Sequence, residues 1–235
     1  CIRDRLLSLK VFVDTKDAMG ANMLNTILEA VTAYLKNELT DQEILMSILS
    51  NHATSSVVRV EGEIDINDLN RGDYSGEEVA KRMERASVLA QVDIHRAATH
   101  NKGVMNGIHA VVLATGNDTR GAEASAHAYA ARDGQYRGMA TWKYDKARGR
   151  LVGTIEVPMT LAIVGGGTKV LPIAKASLDL LNVESARELG HVVAAVGLAQ
   201  NFSACRALVS EGIQKGHMSL QYKSCLLYTS PSPRD

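Results

Sequence analysis

Alternating hydrophobic and polar residues mark several short strands along the chain. Apolar residues fill every second position over residues 7–13 and again over residues 58–66, a pattern typical of half-buried strands. Two more alternating segments, residues 138–144 and 151–157, are separated by a turn at residues 146–149. The pattern therefore predicts two separate strands and one hairpin.

Helical spacing of apolar residues fills most of the remaining chain. The segments with this spacing are residues 23–36, 41–49, 76–90, 105–114, 121–131, 169–181, 185–200 and 203–211. Thr40 and Ser75 each precede a segment with a Glu three residues later, which predicts a capping box. Strands and helices together indicate an α+β fold, with a small α/β unit at residues 1–85 and part of a larger, mostly helical unit at residues 86–224.

Both ends of the chain are expected to be truncated. Cys1 is not an initiator Met, and the first residues run directly into a strand pattern. Residues 225–235 hold two of the four prolines and resemble a translated sequencing-adapter tail. We therefore leave this tail out of the fold prediction.

Composition excludes several classes of protein. The 26 basic residues balance the 26 acidic residues, so no nucleic-acid or anionic-membrane partner is indicated. The cysteines at positions 1, 205 and 225 have neither metal-ligand spacing nor a disulfide framework. No apolar run approaches the roughly 20 residues of a membrane span. We expect a cytoplasmic protein without a bound metal.

Three residues in glycine-rich surroundings are candidates for acid and base chemistry. Lys102 precedes Gly103, Asp118 follows Gly116, and His217 follows Gly216. A charged ammonium can hydrogen-bond a carbonyl oxygen and stabilise the negative charge that develops on it. A His is suited to protonating a leaving thiolate near neutral pH. We expect the three side chains to meet in one cleft, although each alone could be a surface residue.

Two further segments carry polar residues that could bind a ligand. The turn at residues 17–22 leads from a predicted strand into a predicted helix, where backbone N–H groups can receive a phosphate. An ordinary capped turn is the alternative. Residues 93–106 concentrate Asp, His, Arg, Lys and Asn, and burying so many polar groups is costly unless they bind one another or a ligand. Here a solvated loop is the alternative.

Five motifs, in order, resemble those of the bacterial (class II) 3-hydroxy-3-methylglutaryl-CoA (HMG-CoA) reductases. They are Asp-Ala-Met-Gly-Ala-Asn at 17–22, Thr-His-Asn-Lys-Gly at 99–103, Gly-Asn-Asp at 116–118, Gly-Thr-Ile-Glu-Val-Pro at 153–158 and Gly-Ile-Gln-Lys-Gly-His-Met at 212–218. The resemblance runs from about residue 7 to residue 223. It implies an oxidoreductase that interconverts HMG-CoA with mevalonate and CoA, using two NADH or NADPH.

The resemblance also implies a role for individual residues. Lys102 would polarise the thioester and then the aldehyde carbonyl, Asp118 would orient Lys102, and His217 would protonate the CoA thiolate. The residues implied to bind the cofactor are Asp17, Met19, Gly20 and Asn22, and those implied to bind the substrate are Arg96, Asn106 and Gln200. A homodimer with active sites across its interface is implied for the full-length protein.

Two parts of the family pattern are missing from this chain. The catalytic Glu of a Glu-Asn-x-x-Gly motif would lie before Cys1, and a C-terminal flap would lie beyond Lys223. These 235 residues alone are therefore expected to show little or no turnover. Two other functions remain open at this point: a dehydrogenase for a small hydroxy acid, and a non-catalytic nucleotide- or CoA-binding remnant.

Overall fold

A computed structural model of the chain describes residues 2–3 and 6–214. His217 and the predicted tail at residues 225–235 therefore lie outside the described residues. The elements, in chain order, are β1 (Ile2–Arg3), β2 (Leu6–Leu7), α1 (Ala21–Glu38), β3 (Val57–Asp65), a 3₁₀ helix (Ile66–Leu69), α2 (Gly76–Val92), α3 (Ile94–Ala114), α4 (Thr119–Ala130), β4 (Ala140–Asp145), β5 (Arg150–Pro158), α5 (Gly166–Val170), α6 (Pro172–Leu181) and α7 (Ala186–Val209).

An antiparallel sheet with the strand order β3-β5-β4 forms the centre of the fold. β3 and β5 pair along their full lengths, from Val57 opposite Pro158 to Asp65 opposite Arg150. β4 and β5 form the predicted hairpin, which closes at the pair Asp145 and Arg150. In β5 the buried residues alternate with partly exposed ones, as a sheet with one covered face requires.

Helices α2 and α7 cover the sheet, and α3 packs against α7. The two backbones of α3 and α7 approach closely at glycines. A Cβ atom added to Gly107 would lie 2.8 Å from the carbonyl oxygen of Val196, and one added to Gly197 would lie 2.9 Å from Ile108 Cγ1. The core fills the space between sheet and helices; its largest fully buried side chains include those of Leu69, Met83, Ile108, Leu151, Ile155 and Leu189. This mixed arrangement of helices and antiparallel sheet confirms the predicted fold class.

The N-terminal predictions were partly wrong. Helix α1 forms as expected, but Leu7 is the one residue of the predicted strand at 7–13 that lies in a described ladder, at the end of β2. Leu9 and Phe12 are 62% and 75% exposed, because no strand of the described chain pairs with residues 8–13. The predicted helix at 41–49 does not form either. A helix of about nine residues is marginal unless its apolar face is packed, and Leu45 and Ile48 are exposed.

Several helix boundaries also differ from the prediction. α3 begins at Ile94 rather than at residue 105, so the polar segment 93–106 is helical and not a loop. One continuous helix, α7, replaces the two predicted at 185–200 and 203–211, since no Gly or Pro interrupts residues 198–209. The segment predicted as one helix at 169–181 divides before Pro172, whose ring cannot continue a preceding helix but suits the first turn of the next.

The packing gives no boundary at residue 86, which the sequence analysis used to separate two units. Residues 85 and 86 lie inside α2, and β3, from the first predicted unit, pairs with β5 from the second. The buried hydrophobic core begins at Val58. The division into units at residues 1–85 and 86–224 therefore stays a prediction.

One described helix, α7, is long and apolar enough by composition to cross a membrane, with a mean hydropathy of 1.4. Its buried residues recur every three or four positions, as at Leu189, Val193 and Asn201. That face contacts α3, β3 and β5. The contacts are those of a core helix in a globular domain.

Candidate functional site

A cleft of about 510 Å³ lies where residues 8–13, α1, residues 48–56 and the start of α4 meet. Two predicted site residues, Met19 and Asp118, both line this cleft. They are 99 positions apart in the sequence, so the fold brings a predicted cofactor residue to a predicted catalytic residue. Lys102 does not line the cleft.

Asp118 is held in place because it caps helix α4. Its Oδ1 accepts hydrogen bonds from the backbone N–H groups of Arg120 and Gly121, both at 3.1 Å. A side chain on Gly121 would crowd the carboxylate, since an added Cβ would lie 2.8 Å from Asp118 Oδ2. Asp118 is exposed.

The turn before α1 places the predicted cofactor residues at the start of that helix. Gly20 has a φ of +87°, and a Cβ there would overlap the side chain of Thr15. The local structure therefore requires a glycine at this position, whatever the turn binds. Asp17 Oδ1 accepts a hydrogen bond of 2.9 Å from the N–H of Ala186. One oxygen of the carboxylate therefore ties this turn to the start of α7.

The N-terminus of α1 has no side-chain cap. The first N–H groups of a helix have no partner within the helix and carry partial positive charge. Asn22 lies in this first turn and is exposed. The start of α1 therefore offers N–H groups to an anion, and phosphate binding at this turn stays a prediction.

Sequence reasoning missed several polar residues that line the cleft, among them Asn51, His52, Ser125 and Thr160. Ser125 Oγ accepts a weak hydrogen bond of 3.4 Å from the N–H of Ala53. Thr160 Oγ1 is buried and has no hydrogen-bond partner among the described residues, which is unusual for a buried hydroxyl. Residues 50–56 are mostly polar and have neither strand nor helix periodicity. This was the feature of the sequence that could have indicated a ligand-binding segment.

Lys102 lies in the middle of α3 and not in a turn. Lys102 and Asn106 are one helical turn apart on its exposed face. Twelve residues separate Lys102 from the end of α3 at Ala114, a length of roughly 18 Å at 1.5 Å per residue, and Asp118 follows that end. The described chain thus does not bring Lys102 and Asp118 together, and His217 lies outside it.

The predicted substrate residues gather along the contact between α3 and α7. Arg96 Nη2 approaches Cys205 Sγ at 3.9 Å. Gln200 is exposed on α7, and its Cβ would be 3.0 Å from a Cβ on Gly107, the neighbour of Asn106. Asn106 and Gln200 therefore lie near each other, while Arg96 is nearly three turns away from Asn106 along α3.

His100, between Arg96 and Lys102, is a buried neutral residue. Its Nε2 is 3.0 Å from the carbonyl oxygen of Ala140, which can only accept, so Nε2 carries the proton. Burial is the main cause that lowers the pKa of His100 to about 4, and the Arg96 charge lowers it further. Burial also raises the pKa of the nearby Cys205 thiol.

We expect acid to destabilise the protein through His100. The unfolded chain binds a proton near pH 6.5 and the folded chain only near pH 4, so stability is lost as the pH falls through that window. The loss attributable to His100 is about 3 kcal/mol, at about 1.36 kcal/mol per pKa unit. Urea unfolding at pH 4.5, 6.0 and 7.5 would measure it, and His100→Gln should show a weaker pH dependence. Equal pH dependence in both proteins would contradict the assignment.

No group of three His, Cys, Asp or Glu side chains within residues 2–3 and 6–214 is arranged to hold a metal ion. A cluster of one Glu and two His side chains does join α3 and α4. Glu123 is 3.6 Å from His109 Nε2 and 3.8 Å from His127 Nε2. His127 Nδ1 is 2.7 Å from the Tyr136 hydroxyl, which is a hydrogen bond, whereas the buried His109 Nε2 has no hydrogen-bond partner among the described residues.

The family model for hydroxymethylglutaryl-coenzyme A reductase matches residues 1–222. A 3-hydroxy-3-methylglutaryl-coenzyme A reductase from Archaeoglobus fulgidus is 46% identical over 223 residues, 95% of this chain and 49% of the relative. A probable reductase of the same name from Borreliella burgdorferi is 39% identical over 218 residues, 93% of this chain and 50% of the relative. The chain thus spans about half the length of the curated relatives it matches.

Solved structures give the same result. A 3-hydroxy-3-methylglutaryl-coenzyme A reductase from Streptococcus pneumoniae superposes with a TM-score of 0.81 at 50% identity, covering 94% of this chain and 52% of that one. The class II reductase of that organism, bound to NADPH in open conformations, has a TM-score of 0.80 at 50% identity and covers 84% of this chain and 53% of that one. The resemblance found in the motifs is confirmed: the chain belongs to the hydroxymethylglutaryl-coenzyme A reductase family.

Proposed function

We propose that the complete protein containing this chain converts HMG-CoA, two NAD(P)H and two protons to mevalonate, CoA and two NAD(P)⁺. The observation that carries the proposal is the cleft shared by Met19 and Asp118, in a chain whose motifs and fold match the family. Because the chain covers about half of its relatives, the remainder of the site belongs to sequence outside these 235 residues.

The cleft, together with the turn before α1, would suit a nicotinamide dinucleotide. The uncapped start of α1 at Gly20 and Asn22 can receive a phosphate, and Thr160 Oγ1 has a hydrogen-bonding capacity that no described residue uses. Asp17 and Met19 would hold the cofactor from the same turn. A related structure is bound to NADPH. Assays with NADH and NADPH in turn would show which of the two this protein uses. The cofactor supplies the hydride, and the chain supplies its binding groups.

Lys102 would hydrogen-bond the substrate carbonyl and stabilise the negative charge that develops on its oxygen. Its exposed ammonium is free to meet a ligand that lies on α3. Asn106 and Gln200 lie along the same helix contact, where they would hold the HMG group, and Arg96 would bind its carboxylate. A preorganised donor of this kind favours the transition state over the bound substrate.

Asp118 and Lys102 of the same chain lie too far apart to act on one substrate. They would share an active site only if Asp118 of one subunit met Lys102 of another. In one chain, Lys102 lies roughly 18 Å along α3 from the helix end that precedes Asp118. We therefore infer that the site is assembled in a homodimer, as the family resemblance implies, with further residues from the missing half. His217 would protonate the departing CoA thiolate. The other partners are the soluble substrates, and we place the enzyme in the cytoplasm.

The test is an assay of the complete reading frame, recovered by sequencing the source locus on both sides of this chain. We expect oxidation of NADH or NADPH that depends on HMG-CoA, with two cofactors consumed per mevalonate. The 235-residue chain assayed alone should show little or no turnover. CoA binding without turnover in the complete protein would refute the reductase and favour a binding remnant, whereas turnover of a small hydroxy acid without CoA would favour another dehydrogenase.

Two substitutions separate the structural and chemical roles of Asp118. Asp118→Ser keeps an oxygen that can cap α4, whereas Asp118→Ala removes the cap and should cost about 1 kcal/mol of stability. We expect both to lower kcat by at least about 10²-fold, because neither retains a carboxylate. Melting temperatures and kcat of both variants would decide this; near-normal kcat in Asp118→Ser would show that the residue is a helix cap alone.

A further inference from the structure

Asn101 fastens α3 to the chain segment that enters β4. Its side chain is fully buried. Its Nδ2 donates to the carbonyl oxygen of Arg137 at 2.8 Å, and its Oδ1 accepts from the N–H of Met139 at 2.7 Å. Both ends of the amide are therefore bonded to backbone, which fixes the orientation of the side chain as well as its position.

His100 extends this contact by one residue. Its Nε2–H donates to the carbonyl oxygen of Ala140 at 3.0 Å, so His100 and Asn101 together make three hydrogen bonds to residues 137–140. We call these three bonds the α3 clamp. The opposite side of the imidazole faces α7, where Nδ1 is 4.0 Å from Cys205 Sγ.

Helix α2 holds the same segment independently. Gln91 Nε2 donates to the carbonyl oxygen of Gly138 at 3.0 Å, and the N–H of Gly138 donates to the carbonyl oxygen of Ala90 at 2.9 Å. Gln91 therefore supports residues 137–140 from α2 and makes no bond to the side of α3 that carries Lys102. It offers a matched control for Asn101.

Lys102 depends on α3 for its position. In the described chain Lys102 has no hydrogen bond or ion pair of its own, so the axial position and rotation of the helix determine where its ammonium points. The neighbouring inward residues Val104 and Met105 are apolar, and apolar packing is not directional. The directional contacts nearest to Lys102 are those of the α3 clamp.

We propose that His100 and Asn101 are positioning residues that hold α3, and with it Lys102, in the orientation that the reaction requires. The proposal rests on the function proposed for Lys102. Displacing a catalytic group by about 1 Å can lower a rate by about 10²-fold. Neither residue needs to touch the substrate, because each acts through the helix that carries Lys102.

Kinetics of the complete protein test the catalytic part of the proposal. We expect Asn101→Ala to lower kcat by about 10- to 100-fold while the KM values for HMG-CoA and NAD(P)H stay within about threefold of wild type. Gln91→Ala removes a bond to the same segment and should leave kcat near that of wild type. His100→Ala should lower kcat as Asn101→Ala does, and His100→Gln should restore much of it, because the Gln Nε2–H can reach the oxygen that His Nε2 bonds.

A second measurement reads the position of residue 102 without activity. A nitroxide attached to Lys102→Cys in the complete protein, with its other exposed cysteines replaced by Ser, should give a more mobile spectrum when Asn101→Ala is added and an unchanged spectrum when Gln91→Ala is added. If the label responds in this way but wild type lacks HMG-CoA-dependent turnover, the proposed reductase fails while the clamp stands. An unresponsive label, or equal loss of kcat in Asn101→Ala and Gln91→Ala, would overturn the clamp.

Discussion

Replacing Lys102 with alanine in the complete protein is expected to lower kcat by about 10²–10³-fold while leaving the protein folded. Losing one preorganised donor to a developing oxyanion has an effect of this size. Stability should hardly change, since Lys102 is exposed in the interior of a helix and alanine is a strong helix former. Steady-state kinetics with HMG-CoA, together with a thermal melt, would measure both effects.

The matched control for this substitution is Lys175→Ala, which removes an exposed lysine from another helix, α6. It should leave kcat unchanged. Lys102→Arg keeps the positive charge but replaces a compact ammonium with a planar guanidinium, so we expect it to recover little of the rate. Wild-type kcat in Lys102→Ala would remove this residue from the mechanism.

Replacing Trp142 with alanine is expected to cost about 3–5 kcal/mol of stability, the range for deleting a large aromatic side chain from a core. Trp142 is the single tryptophan of the sequence and is 3% exposed. Its ring contacts Phe202 with centroids 5.4 Å apart, and its Nε1–H donates to Asn201 Oδ1 at 2.8 Å. Alanine would leave a cavity and a buried amide that lacks one donor. Urea unfolding followed by far-UV circular dichroism measures the loss without needing the indole.

Two comparisons identify the cause of the stability loss expected for Trp142→Ala. Trp142→Phe keeps a ring but not the donor, so it should cost about 1–3 kcal/mol. Gly153 lies opposite Trp142 in the sheet, and a Cβ there would overlap the indole, so Gly153→Ala should cost about 1–3 kcal/mol by overpacking. Gly62, opposite Gly153 on its other side, is the control. A Cβ on Gly62 would lie 3.8 Å from Leu198 Cδ2, an ordinary contact, so equal losses from the two glycines would contradict this packing.

The polar segment around Lys102 shows why the site was harder to predict than the fold. The sequence indicated that so many polar residues bind one another or a ligand, and the structure divides them between a buried and an exposed face of one helix. His100 and Asn101 bond backbone groups that arrive from about 40 residues later in the chain. Lys102 and Asn106 remain exposed. Local pattern cannot distinguish these faces, because the partners come from a distant segment.

Helices and strands with a strong repeating pattern were determined by the sequence itself. The alternation in β3 and β5, the cap at Ser75 and the apolar face of α1 are local features, and their physical basis is local: side-chain direction repeats with the backbone. The five motifs likewise sufficed to indicate the family. The tertiary structure alone decided whether a weakly patterned segment formed the predicted element, and residues 7–13 and 41–49 did not. It also decided which predicted site residues meet: Met19 with Asp118 in one cleft, but not Lys102 with Asp118, because a rigid helix of fixed rise holds those two apart.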